Sequence, residues 1–93
     1  MRVATARITL RLPQTSSLKD KRRILKSLIA RVKHEFNVSI SEVDELDNRR
    51  MAVLGVAFVS NDGQLNQRVI HRLVALIGHD PEILVEDSQS EVF

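Results

Sequence analysis

The chain has 93 residues, 43% of them hydrophobic and 28% charged, with 14 Lys and Arg against 12 Asp and Glu. That length suits a single domain (residues 1–93) with one modest core, and no apolar run approaches the roughly 20 residues that a membrane-spanning helix takes. The absence of cysteine excludes a disulfide framework, a thiolate nucleophile and Cys-ligated zinc.

The opening "MRVATARITL" alternates instead of forming an apolar block, so no signal peptide is expected and a cytoplasmic location is the simplest reading. Within "VATARITLRLP", Ala4, Ala6, Ile8, Leu10 and Leu12 fall on one face, and Val3, Thr5, Arg7, Thr9 and Arg11 on the other. A period of two predicts a strand with one side on the core. Pro13 ends it, and the polar "PQTSS" follows.

Ser17-Leu18-Lys19-Asp20 has the form of a capping box with Asp in place of the usual Glu. It opens a helix expected to run to about His34. Leu18, Leu25, Leu28, Ile29, Val32 and Phe36 cluster on one stripe at about 100° per residue, with Ile24 to one side. "FNVSISEVDEL" reads as the second strand, "DELDNRR" as turn material, and "MAVLGVAFVS" as a third strand apolar on both faces, hence central and covered twice. Asn61 or Asp62 would cap a second helix whose expected buried stripe is Leu65, Val69, Leu73, Leu76 and Ile77, with Gly78 as its stop. "EILVED" is the fourth strand, which the tail "SQSEVF" either extends or leaves frayed.

The order β-α-β-β-α-β predicts an α+β, ferredoxin-like sandwich: a four-stranded antiparallel sheet with two helices on one face. The other sheet face, carrying Val3, Thr5, Arg7, Thr9 and Arg11 on the first strand, is then bare. A second copy of the chain is expected to cover it, giving a homodimer.

The blocks "SLKDKRRILKSLIARVKHEFNVSISEVD" and "AVLGVAFVSND" resemble the YlxP-like family of small bacterial proteins, whose signature is a serine-leucine-lysine run leading into an asparagine-valine-serine strand. The resemblance covers the chain from the first strand into the second helix. It implies the same fold. Family members are uncharacterised in function and often encoded near transcription and translation factors, which implies an RNA- or ribosome-related role by association.

Charge is segregated along the chain. Residues 1–36 carry ten cations and two acids, whereas residues 37–93 carry four cations and ten acids. Such asymmetry fits a basic face for nucleic acid, and equally fits two halves, or two copies, neutralising each other. On the first helix Lys19, Lys26 and Lys33 are spaced by seven and drift slowly around the axis. Arg22 and Arg23 flank that line, Arg31 points elsewhere, and Lys21 falls near the apolar stripe, where its stem can pack while its amine snorkels out.

Lys19, Lys21, Arg22, Arg23, Lys26 and Lys33 are therefore the candidate phosphate contacts; the competing reading is the solvated outer face of an amphipathic helix. An anionic membrane is disfavoured because the strip lacks inserting Trp or Phe. With three Phe and no Tyr or Trp, the chain has no base-stacking platform, so RNA would be held by shape and charge. A second anion candidate is the helix entrance, with Ser16 and Ser17; against it, Ser17 and Asp20 already satisfy those donors as a cap.

Enzyme chemistry has little to work with, and the chain is read as a non-enzymatic binding module without cofactor or metal. His34, His71 and His79 lack partners at ligand spacing. Glu42 and Asp44, expected on one side of the second strand, read as solvated or paired with Arg49 and Arg50 across the hairpin. No phosphate-binding or nucleophile motif is present, since Gly55, Gly63 and Gly78 are isolated. The alternative to RNA binding is a homo-oligomeric protein–protein module in which the basic strip meets the acidic "SEVDELD" of another chain. Arginine outnumbers lysine ten to four, a bias reported in some thermophile families.

Overall fold

A computed structural model describes residues 1–93. The elements are β1 (Arg2–Arg11), α1 (Leu18–Glu35), β2 (Ser39–Asp44), β3 (Met51–Ser60), α2 (Gly63–Gly78) and β4 (Leu84–Val92). The sheet is antiparallel throughout in the order β2-β3-β1-β4, which is the ferredoxin-like arrangement. The tail does not fray. It carries β4 to Val92, and Phe93 exchanges two backbone hydrogen bonds with Val3, at 2.8 and 3.1 Å.

Alternation in β1 works as expected: Ala4, Ala6, Ile8 and Leu10, continued by Leu12, are buried against the helices. From α1 the core receives Ile24, Leu25, Leu28 and Val32, with Phe36 just beyond its end. The α1 start is a half-formed capping box. Ser17 Oγ accepts from the Asp20 N–H at 3.0 Å, while the Asp20 carboxylate accepts from Arg23 at 2.9 Å.

The α2 stripe holds at Leu73 and Ile77, with Val69 and Leu76 packed against the core, and departs from expectation at its start. Asp62 is the N-cap, accepting from the N–H groups of Gln64 and Leu65, and the buried residues are Asn66, Ile70, Leu73 and Ile77. Leu65 lies exposed instead, at 41%. The polar Asn66 is tolerated at the core end because its Oδ1 accepts from the Ser60 hydroxyl, although its Nδ2 has no partner.

A bulge in β2 overturns one expectation. Between Glu42 and Asp44 the register shifts, so Glu42 stands opposite Leu54 on the helix side while Asp44 stands opposite Val53 on the open side. One extra residue re-aims everything after it. The two carboxylates therefore point to different faces, and neither pairs with Arg49 or Arg50, which donate to the Ser16 and Thr15 carbonyls.

The bulged Val43 lies over Gly55. A Cβ at Gly55 would sit 2.8 Å from one Val43 methyl and 3.3 Å from the other, so Val43 must leave its present position to admit it. Gly55→Ala is expected to cost about 1–2 kcal/mol, and adding Val43→Ala to restore most of it. Urea unfolding of the single and double variants checks this; a Gly55→Ala protein as stable as the parent would contradict the close approach.

Candidate functional site

Helix α1 divides its cations into three kinds. Lys19, Arg22, Lys26 and Lys33 are exposed, and no carboxylate lies within ion-pair distance of any of them. Buried Ile24, Leu28 and Val32 fix the opposite side of the helix, so these four project outward together. Arg23 is also exposed but is held by Asp20 at 2.9 Å and by Glu82 at 3.4 Å. Those carboxylates, Asp20 first through its hydrogen bond, raise the guanidinium pKa. Arg31 is tied to Asp80 at 2.5 Å.

Lys21 corrects the sequence reading. Its amine does not snorkel out: the side chain is 1% exposed. The ammonium lies 2.7 Å from Glu42 Oε2 and donates to the Glu45 and Asn48 carbonyls at 2.8 and 2.7 Å. Two of its hydrogens go to those carbonyls and the Glu42 carboxylate supplies the counter-charge that a buried ammonium requires, although Glu42 Oε2 itself accepts no well-aligned hydrogen bond. The bulge that turns Glu42 inward supplies the counter-ion, and the turn whose Glu45 adopts φ 58° supplies the carbonyls. Lys21 is thus withdrawn from any phosphate contact.

At the helix entrance Ser16 is exposed and Ser17 Oγ is committed to the cap. With Lys21 turned away and the Asp20 carboxylate adjoining the Ser16–Lys19 surface, the entrance has less positive charge than its sequence implies. It reads as a capped helix start.

The uncovered sheet face carries Val3, Thr5, Arg7, Thr9 and Arg11 from β1, as expected, beside Val53, Gly55, Ala57 and Val59 of β3. It is less apolar than strand three alone implied. Arg7 pairs with Asp44 at 2.7 Å and Arg11 with Glu86 at 2.7 Å. The Arg7 hydrogen bond, helped by the Glu45 N–H, lowers the Asp44 pKa. Val53 is buried among its neighbours, leaving Val43, Val59 and Leu84, which stands opposite Arg11, as the exposed large side chains of this face, at 48%, 63% and 60%.

Sequence reasoning along single elements missed what the fold brings together. His34 of α1 and His79, which caps α2, line one groove between the helices, with Arg72 beside them and Ser27, Ala30 and Ala75 along its floor. Helix α2 also contains two arginines, Arg68 and Arg72, and no acid. The two helices together hold nine of the fourteen Lys and Arg but only two of the twelve Asp and Glu. Segregation along the chain has become segregation in space. The readable signal was the acid-free "GQLNQRVIHRLVALIG".

Fold and charge together define a ferredoxin-like module whose helical layer carries most of its cations. The chain belongs to the family described as "Protein of unknown function (DUF503)", whose model matches residues 3–90. It is 38% identical over 77 residues to the "Uncharacterized protein YlxP" of Bacillus subtilis (strain 168), covering 83% of this chain and 84% of that protein. The resemblance read from the two sequence blocks is borne out. Among solved structures it is similar to the "De novo designed protein Foldit4", with a TM-score of 0.55 and 16% identity, over 100% of this chain and 97% of that one. A REP-associated tyrosine transposase bound to a REP hairpin gives a TM-score of 0.47 and 14% identity, over 98% of this chain and 55% of that one. At such identities the structural likeness concerns the fold alone. No helix is long and apolar enough to cross a membrane.

Proposed function

We propose that this protein is a non-enzymatic, cytoplasmic binding module that contacts structured RNA, free or within a ribosomal assembly, through the outer face of α1. The supporting observation is the line of four cations, Lys19, Arg22, Lys26 and Lys33, that face solvent without an internal counter-ion. Arg23 and Arg31 are satisfied by the chain's own carboxylates, so the freedom of the other four is selective. An unpaired cation on a rigid helix releases counter-ions from a phosphate backbone at little ordering cost. Recognition by base stacking is disfavoured, since Phe36 is buried, Phe58 stands opposite Ala4 on the core side of the sheet, and exposed Phe93 is a single aromatic beyond the end of β4, away from the helices. The test is retention of a labelled hairpin RNA at low ionic strength by the parent and by Lys19→Glu/Arg22→Glu/Lys26→Glu. Absence of salt-sensitive binding by the parent would sink the reading.

A second reading is favoured by the uncovered sheet face: a homodimer built through it, with or without RNA. The face carries both signs, Arg7 and Arg11 beside Asp44 and Glu86, around exposed Val43 and Val59, and so suits a two-fold copy of itself. The rival in which the basic strip meets the acidic hairpin of another chain is weakened, because Glu42 and Asp44 are already engaged by Lys21 and Arg7. Sedimentation equilibrium is expected to give a dimer that Val59→Lys converts to monomer. A parent protein that stays monomeric at about 100 µM, a concentration at which complexes of about −6 kcal/mol persist, would remove this reading.

A further inference from the structure

The reading that α1 binds RNA uses one helix, yet the charge distribution involves two. We infer that the phosphodiester-binding surface is bipartite, and that the groove between α1 and α2 seats one sugar–phosphate strand of a double-helical nucleic acid. The inference rests on the proposed function and extends it to the chemical class of the ligand.

Three observations carry it. First, the groove is open and its floor is made of small side chains, Ser27, Ala30 and Ala75, around a volume of about 720 Å³. Second, the far wall is cationic. Arg72 lines the groove and Arg68 lies one turn away on the outer surface of α2; both are exposed and have no ion pair, and no acid exists anywhere in α2. The Arg72 guanidinium lies 5.6 Å from the centroid of Phe36, a contact that orients the group without neutralising it. Among the lining residues the opposing charge is Glu35, and Arg31 is already neutralised by Asp80. Third, the acids that balance the molecule lie elsewhere, on the hairpin turn, the loops and β4, where Glu86, Asp87 and Glu91 gather. A polyanion approaching this molecule is therefore steered to the helical layer.

A double helix fits this surface better than a single strand. Proteins that hold single strands stack successive bases on aromatic side chains, and the helical surface has none to offer: Phe36 is 8% exposed and Phe58 faces the core. Two fixed helices offer two rows of charge in a set relation, which suits a backbone whose shape is equally fixed.

The experiment measures anisotropy of labelled 20-base-pair RNA and DNA duplexes and of a 20-nucleotide single strand, at about 50 to 200 mM salt. Arg68→Glu/Arg72→Glu is expected to weaken duplex binding at least tenfold and to flatten the salt slope by about 1.8, two phosphates' worth. Ala75→Leu, which fills the groove floor at unchanged charge on an exposed helical site, is expected to weaken binding severalfold without changing the slope. Melting curves matching the parent establish that both variants fold. Duplex binding unaltered by both variants would overturn the groove while leaving α1 in place. Tighter binding of the single strand would overturn the double-helical assignment. Binding of the DNA duplex alone would keep the groove and overturn the RNA reading, and no salt-sensitive binding of any probe would remove both.

Discussion

Lys21→Met is expected to lower the stability of this protein by about 3 kcal/mol. Removing one partner of a buried ion pair typically costs about 3–5 kcal/mol because the other charge is left uncompensated. The lower end applies here, since Glu42 keeps 18% of its side chain exposed and can recover some hydration. For a domain of this size such a loss corresponds to a fall in melting temperature of about 12–24 °C. Beyond the ion pair, the substitution strips the Glu45 and Asn48 carbonyls of their shared donor. Fraying of the hairpin turn should therefore accompany the loss, seen as faster amide exchange at residues 45–50. Lys21→Met/Glu42→Met should regain a large part of the stability, because two apolar side chains of similar volume can replace a buried pair. A single variant that melts within about 3 °C of the parent, less than 1 kcal/mol on the same scale, would show that the ammonium is dispensable.

The same residue marks where sequence reading reached its limit. Alternation in β1 and the 3.6-residue stripe of α1 are local signals, and they located the core residues Ala4, Ile8, Leu28 and Val32 because the core is what produces such patterns. The fold followed from the order of elements. Lys21 was legible only as a lysine near the apolar stripe. Whether its amine turns out to water or in to a partner depends on Glu42, and Glu42 faces inward only because the β2 bulge shifts the register before Asp44. A bulge leaves no periodic trace in six residues, so two carboxylates spaced by two were assigned to one side. The α2 stripe erred only at its start: hydrophobicity placed Leu65 inside, whereas Asn66, its Oδ1 satisfied by the Ser60 hydroxyl, is buried there.

At the candidate site the sequence supplied a helical ridge and the structure decided its membership. Spacing alone cannot tell a free cation from one answered by a distant acid. Asp80 and Glu82 lie some 50 to 60 positions from Arg31 and Arg23, and the αβ connection after α2 brings them alongside. Four of the six candidate contacts remain free, Arg23 is shared with acids, and Lys21 has become part of the frame. In return the fold adds Arg68 and Arg72, which no local pattern connected to α1.

Reversing Lys19, Arg22 and Lys26 to Glu is expected to reduce affinity for a structured RNA by more than about a thousandfold at 50 mM salt. Lys19, Lys26 and Lys33 are separated by two seven-residue steps, so the ridge extends about 21 Å along the helix and can meet several phosphates at once. Each neutralised phosphate contributes about 0.9 to the slope of log affinity against log salt for a duplex, equivalent to roughly one decade of affinity at 50 mM. Losing three contacts should flatten the slope by about 2.7 and weaken binding to all sequences alike, since backbone contacts carry no sequence information. Stability should change little, because all three side chains are exposed and none is in an ion pair; the melting curve is the control. The neutral variant Lys19→Gln/Arg22→Gln/Lys26→Gln should show the same change of slope with a smaller loss of affinity, separating lost contacts from added repulsion. If the reversed protein kept the parental slope, these cations would be a solvated helix face and no more, and the phosphate-binding role would have to be sought on α2 or abandoned.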